Sequence, residues 1–136
     1  MFSIGQLSKQ TGVKIPTIRY YEQMGLIDAP ERTEGNQRRY TKDGLERLSF
    51  IRHSRDLGFS VENIRGLLDL SQHPYKPCQD AHSIAAQHLK DVQTRIAKLR
   101  RLERELKRIT HCNADNVADC AVIETLADHG LCETEH

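Results

Sequence analysis

The chain is 136 residues long, with 20 Lys and Arg against 19 Asp and Glu, four cysteines and no tryptophan. That length admits one modest globular domain plus an extension and excludes two large domains. No apolar run nears the roughly 20 residues of a membrane span, and MFSIGQLSK lacks a secretory pattern, so a cytoplasmic protein with no membrane partner is expected.

Ser3 followed by Gln6 is a capping-box pair that opens a short helix with Ile4 and Leu7 inward. Gly12 marks a turn, and Pro16 suits the first position of a second helix, because proline lacks the N–H that would be unpaired there. Gly25 is a left-handed stop for that helix. Two short helices about a glycine turn form a helix-turn-helix pattern, whose second helix presents its early residues to a DNA major groove. From Arg32 to Tyr40 the chain reads RTEGNQRRY; Gly35 and Asn36 both tolerate positive φ, which predicts a hairpin tip between two short strands. Arg32, Arg38, Arg39 and Lys42 make this hairpin a basic wing able to hold a phosphate backbone. By contrast, Cys112 to His136 holds six acids and no Lys or Arg, an asymmetry that suits a DNA-facing end and a cation-facing end. Thr41 caps a third helix with Leu45, Leu48, Ile51 and Leu57 inward, ending at Gly58. Ser60 caps a fourth that buries Val61, Ile64, Leu67 and Leu68. Pro74 and Pro77 then make a linker that delivers the chain to Cys78.

From Asp80 to His111 there is no Gly or Pro, which predicts one helix of about 32 residues, roughly 48 Å long. Ala85, Leu89, Val92, Ile96, Leu99 and Leu106 lie close to a heptad seam, widened by Leu102 and Ile109. A monomer of this size cannot cover that stripe, so a homodimer is expected. Cys78 precedes the helix; Cys112 and Cys120 follow it. An unbroken helix keeps Cys78 away from Cys112 of its own chain, but lets it meet Cys112 of a second copy packed antiparallel. In a reducing compartment such cysteines point to metal or redox chemistry rather than disulfides. The seven polar-loop residues between Cys112 and Cys120 can wrap a metal and hold both thiolates within bonding reach of roughly 2.3 Å. A short helix from Ala121 to about Asp128 follows. Two thiolates alone suit linear Cu(I), whereas adding Cys78 suits Zn(II), Cd(II), Pb(II) or Hg(II). His111 is either a fourth, tetrahedral ligand or a helix end, where an imidazole suits the dipole. Cys132, with His129 and His136 nearby, reads as either a second, weak metal site or a flexible tail, the tail being the favoured reading. His53, His73, His82 and His88 have no evident ligand partner and read as surface or interface residues.

The string TIRYYE from Thr17 to Glu22, then Gly25-Leu26, Arg32, Gly35, Arg38 and Tyr40, resembles the N-terminal domain of the MerR family of transcription regulators. The likeness continues through FIRHSRDLGFS from Phe50 to Ser60 and IRGLL from Ile64 to Leu68. It implies DNA contacts from Thr17, Arg19 and Tyr20 on the recognition helix, and phosphate contacts from Arg38 and Tyr40 on the wing. Gln37 stands where the family usually has an aromatic, and Ile15 where a capping Thr or Ser is common. The family's copper sensors carry Ser at the head of the dimerisation helix and its divalent-metal sensors carry Cys, so Cys78 implies the zinc-, cadmium- and lead-responsive branch.

The expected architecture is mainly α: a winged helix-turn-helix DNA-binding domain with a small β-hairpin wing at 1–70 and a linker at 71–79. A long antiparallel coiled-coil dimerisation helix at 80–111 follows, then a metal-binding loop, short helix and tail at 112–136. The resemblance implies a homodimer that holds promoter DNA with an overlong spacer and represses without metal. On binding Zn(II), Cd(II) or Pb(II) through Cys112, Cys120 and Cys78 of the partner subunit, it would bend and untwist the DNA. RNA polymerase could then transcribe metal efflux or resistance genes. A Cu(I)-responsive regulator of the same family and a metal-independent architectural DNA binder are the alternatives. An enzyme would need an open coordination position and a general base in a pocket; the sequence supplies no recognisable pair.

Overall fold

The computed structural model describes residues 1–28, 30–111 and 113–128. The first helix, α1 (Ile4–Thr11), opens on the capping box: the Ser3 hydroxyl accepts from the Gln6 N–H at 3.1 Å while Gln6 Oε1 accepts from the Ser3 N–H at 2.8 Å. Two of the helix's orphan donors are thereby satisfied. Gly12 closes α1 at φ 75°, a conformation that strains any L side chain. The second helix, α2 (Ile15–Gln23), has Lys14 as its N-cap with no side-chain bond, so Pro16 sits one residue further in than expected. Gly25, at φ 76°, ends the turn after α2 as expected.

The wing is a two-stranded antiparallel hairpin, β1 (Glu31–Arg32) and β2 (Arg38–Arg39), in the register Glu31↔Arg39 and Arg32↔Arg38. Asn36 alone of the two tip candidates takes positive φ, at 62°. The tip is closed by Asn36 N–H on the Thr33 carbonyl at 2.8 Å and Gln37 N–H on the Thr33 hydroxyl at 3.2 Å. Phe2 extends the pairing by exchanging both backbone bonds with Tyr40, at 2.8 and 2.7 Å.

Thr41 and Ser60 cap α3 (Lys42–Asp56) and α4 (Val61–Ser71), each hydroxyl accepting a backbone N–H at 3.1 Å. The core is one cluster in which Leu7, Ile18, Leu26, Leu48, Ile51 and Ile64 are fully buried, each such burial stabilising by about 1.5–3 kcal/mol. Leu57 departs from the expected inward set. It is 69% exposed, because α3 ends at Asp56 and Leu57 falls on the cap, off the helix's buried face.

After the prolines, α5 (Gln79–Thr110) runs unbroken for 32 residues. Its ladder begins where the His82 N–H meets the Cys78 carbonyl at 2.9 Å. Packing divides the chain into Met1–Ile84 and Ala85–His136. The opening turns of α5 therefore belong with the N-terminal unit, where Ile84 packs over Gly66 of α4. In the C-terminal unit, a 3-10 turn (Val117–Asp119) capped by Asn116 leads into α6 (Ala121–Ala127). Glu105, Ile109 and Thr125 are its buried residues among those described. Glu105 is held by the Arg108 guanidinium at 3.0 Å.

Candidate functional site: nucleic-acid interface and metal loop

Successive residues on a helix point about 100° apart, so adjacent tyrosines must divide their labour. On α2, Ile18 and Tyr21 enter the core, while Arg19 is exposed and Tyr20 is 52% exposed beside Tyr21, ring centroids 6.1 Å apart. Thr17 is half-buried in the first turn. The outer face of α2 thus offers a hydroxyl near its start, then a guanidinium and a phenol. Charge and forked donors fit Arg19 for phosphate or a base edge.

The wing offers fewer free groups than the sequence implies. Arg32 spends one donor on the Asn36 carbonyl at 3.1 Å, and Arg39 donates to Gln37 Oε1 at 3.1 Å. Gln37, the departure from the family's aromatic, therefore braces its neighbour. The Arg38 backbone pairs in β2; its side chain lies outside what the structure describes. Tyr40, expected at a phosphate, lies against the recognition helix. It is 3% exposed, and its hydroxyl donates to Glu22 of α2. A ring at the end of β2 closes the core cheaply only if its hydroxyl keeps a partner, and Glu22 provides one. Tyr40 anchors the wing to the recognition helix.

Three arginines missed as site residues act from behind. Arg52 donates to the Thr11 carbonyl at 2.8 Å, Arg47 to the Leu26 carbonyl at 2.5 Å, and Arg65 to the Met24 carbonyl at 2.8 Å. Each guanidinium from α3 or α4 satisfies a carbonyl at the end of α1 or just beyond α2, where helices leave acceptors unpaired. Arginine frequency in the sequence could not reveal this, since the signal is where the loop carbonyls land.

At the other end of the chain, Cys78 is exposed at the head of α5, and Cys120 is half-buried as the residue preceding α6. Cys112, and Cys132 with His129 and His136, lie outside the described residues. His111 is exposed, with its N–H on the Arg108 carbonyl at 3.4 Å. Among the described residues no three His, Cys, Asp or Glu side chains come together as a metal cage. The donor types nevertheless fit a thiophilic ion: Cys120 is partly withdrawn from solvent and Cys78 is accessible. Between these ends, α5 leaves Leu89, Leu99 and Leu106 well exposed, at 58%, 63% and 58%, with a shallow apolar hollow formed by Leu99, Leu102 and Leu106.

A glycine-turned helix pair carrying an outward arginine and tyrosine, with a basic hairpin locked beside it, defines a winged helix-turn-helix DNA-binding protein. Residues 2–71 match the family described as "MerR HTH family regulatory protein", and residues 45–109 match "MerR, DNA binding". The chain belongs to the MerR family of transcription regulators. It is 40% identical over 127 residues, 93% of this chain and 86% of the relative, to the heavy metal-dependent transcription regulator 2 of Rhizobium meliloti (strain 1021). It is 41% identical over 130 residues, 93% of this chain and 92% of the relative, to the HTH-type transcriptional regulator ZntR of Escherichia coli (strain K12). The crystal structure of the transcription regulator PbrR691 from Ralstonia metallidurans CH34, in complex with lead(II), superposes with a TM-score of 0.81 at 36% identity, covering 93% of this chain and 99% of that one. No helix among the described residues is long and apolar enough to cross a membrane.

Proposed function

We propose that this protein is a metal-responsive activator of metal efflux or resistance genes, induced by a divalent thiophilic ion, Zn(II), Cd(II) or Pb(II). It holds promoter DNA as a homodimer through Thr17, Arg19 and Tyr20 of α2 and Arg38 of the wing, with Tyr40 fixing the wing's position. The two copies pack antiparallel along α5. The inducer sits at each end of that pair, on Cys112 and Cys120 of one subunit and Cys78 of the partner subunit.

The observation that carries this reading is the unbroken α5. A continuous helix from Gln79 to Thr110 separates its two ends by roughly 48 Å, so thiols flanking it can share one ion only by way of a second chain. The heavy metal-dependent relative and the lead(II)-bound neighbour support a metal as the effector. Three thiolates suit a soft or borderline divalent ion better than Cu(I), which two satisfy. Metal would bias the dimer between two arrangements of the DNA, and it can do so only by binding them unequally. RNA polymerase would read the outcome as a change in promoter geometry.

Cys78→Ser is expected to keep operator affinity and to lose transcriptional activation by divalent metal, measured by run-off transcription at fixed polymerase. Full induction by Zn(II), Cd(II) and Pb(II) in that variant would remove Cys78 from the site.

A further inference from the structure

The apolar seam of α5 extends past its hydrophobic residues. Counting back from Leu99 through Ile96, Val92, Leu89 and Ala85, the same alternating spacing of three and four arrives at residue 82 and then residue 78. Those positions are His82 and Cys78. Seam positions of a long helix face the partner helix, so the first two seam places carry a thiol and an imidazole where hydrocarbon would be expected. Cys78 is the residue just before α5, and its carbonyl accepts the first ladder bond of the helix from the His82 N–H at 2.9 Å, which places the two residues one turn apart at the head of α5. Both side chains are exposed in the single chain, so neither is used to hold the N-terminal unit together. Histidine at a seam costs packing unless it gains a partner, and this end of an antiparallel pair is where the other copy's thiolate loop arrives.

We infer that His82 is a nitrogen ligand of the inducer, entering the site together with Cys78 from the head of α5. The inference rests on the cross-subunit site proposed above and completes it as a three-thiolate, one-imidazole set. Such a set closes a tetrahedron around Zn(II) or Cd(II), whereas linear Cu(I) has no use for it. His82, rather than His111, then fills the fourth position and tilts the sensor toward the tetrahedral ions.

The test uses the full-length dimer, reduced and anaerobic, with Co(II) as a spectroscopic probe and Zn(II), Cd(II) and Cu(I) in chelator competition. His82→Ala is expected to keep the thiolate-to-cobalt charge-transfer bands and to weaken the d–d bands of a four-coordinate centre. It should also weaken Zn(II) binding by about tenfold or more, in line with the cost of disturbing a ligand shell, with Cu(I) binding unchanged. His82→Cys guards against a mere packing effect: it should restore tight Cd(II) binding with one additional thiolate charge-transfer contribution. His111→Ala should match the native protein in every titration. Native Zn(II) affinity and Co(II) spectra in His82→Ala would overturn the assignment, as would His82→Cys adding no thiolate band. If Cys120→Ser also leaves the thiolate bands intact, the inducer site itself is misplaced and His82 falls with it.

Discussion

Arginines in this chain divide into two trades according to what their guanidinium groups reach. Arg19 points away from the core on the outer face of α2. Arg47, Arg52 and Arg65 are spent on backbone carbonyls of the helix-turn-helix. The two roles separate in salt titrations of operator binding. Arg19→Ala should weaken binding and lower the slope of log K against log salt by about 1.8, the value of two lost phosphate contacts, one per subunit of the dimer. Arg65→Gln should weaken binding through a loosened α2 while leaving the slope unchanged. Gly12 belongs to the same scale. Its φ is 75°, and a Cβ there would meet the Arg52 guanidinium, whose nearest nitrogen lies 2.3 Å from the Cβ position. Gly12→Ala is therefore expected to lower stability by about 1–2 kcal/mol in denaturant unfolding, through backbone handedness, with displacement of Arg52 added to it.

Among the elements, those with local signals were legible in advance. The Ser3 capping box, the Thr41 and Ser60 caps, the glycine stops and the ends of α5 and α6 lie within a residue or so of their predicted places. Caps and stops depend on groups three or four residues apart, which a sequence displays directly. What short-range pattern misses has the opposite cause. The inward period of α3 runs on to Leu57 although the helix ends before it, and the partner of the Tyr40 hydroxyl, Glu22, lies 18 residues away along the chain. Leu99 is 63% exposed in the single chain, so Leu99→Glu should alter the stability of an isolated chain little. If a second copy covers the stripe, the same change should convert dimers to monomers in sedimentation and abolish tight operator binding, with helical circular dichroism of the N-terminal unit retained.

In the whole molecule as proposed above, one subunit supplies Cys78 and the other supplies Cys112 and Cys120. That arrangement has a consequence no single-chain site shares. Cys78→Ser and Cys112→Ser homodimers should each lack a complete site. A heterodimer of the two carries one site damaged twice and one intact, so mixing should restore about one tightly bound Cd(II) per heterodimer, or about half an ion per dimer averaged over a fully exchanged equal mixture, counted by equilibrium dialysis. No recovery on mixing would mean that all three thiols come from one chain.

Much of this protein was written in short-range pattern. The order of helices, the wing, the unbroken run to Thr110 and the three thiols flanking it follow from caps, glycine turns, periodicity and spacing, all of which act within a few residues along the chain. Family membership came from longer strings of the same kind, in TIRYYE and FIRHSRDLGFS. Tertiary structure decided what requires distant residues to meet: that Tyr21 is core while Tyr20 faces out, that Tyr40 braces the wing against Glu22, and that Arg47, Arg52 and Arg65 hold the recognition unit from behind. Those outcomes depend on where carbonyls and carboxylates come to rest after packing, and a linear pattern carries no record of that.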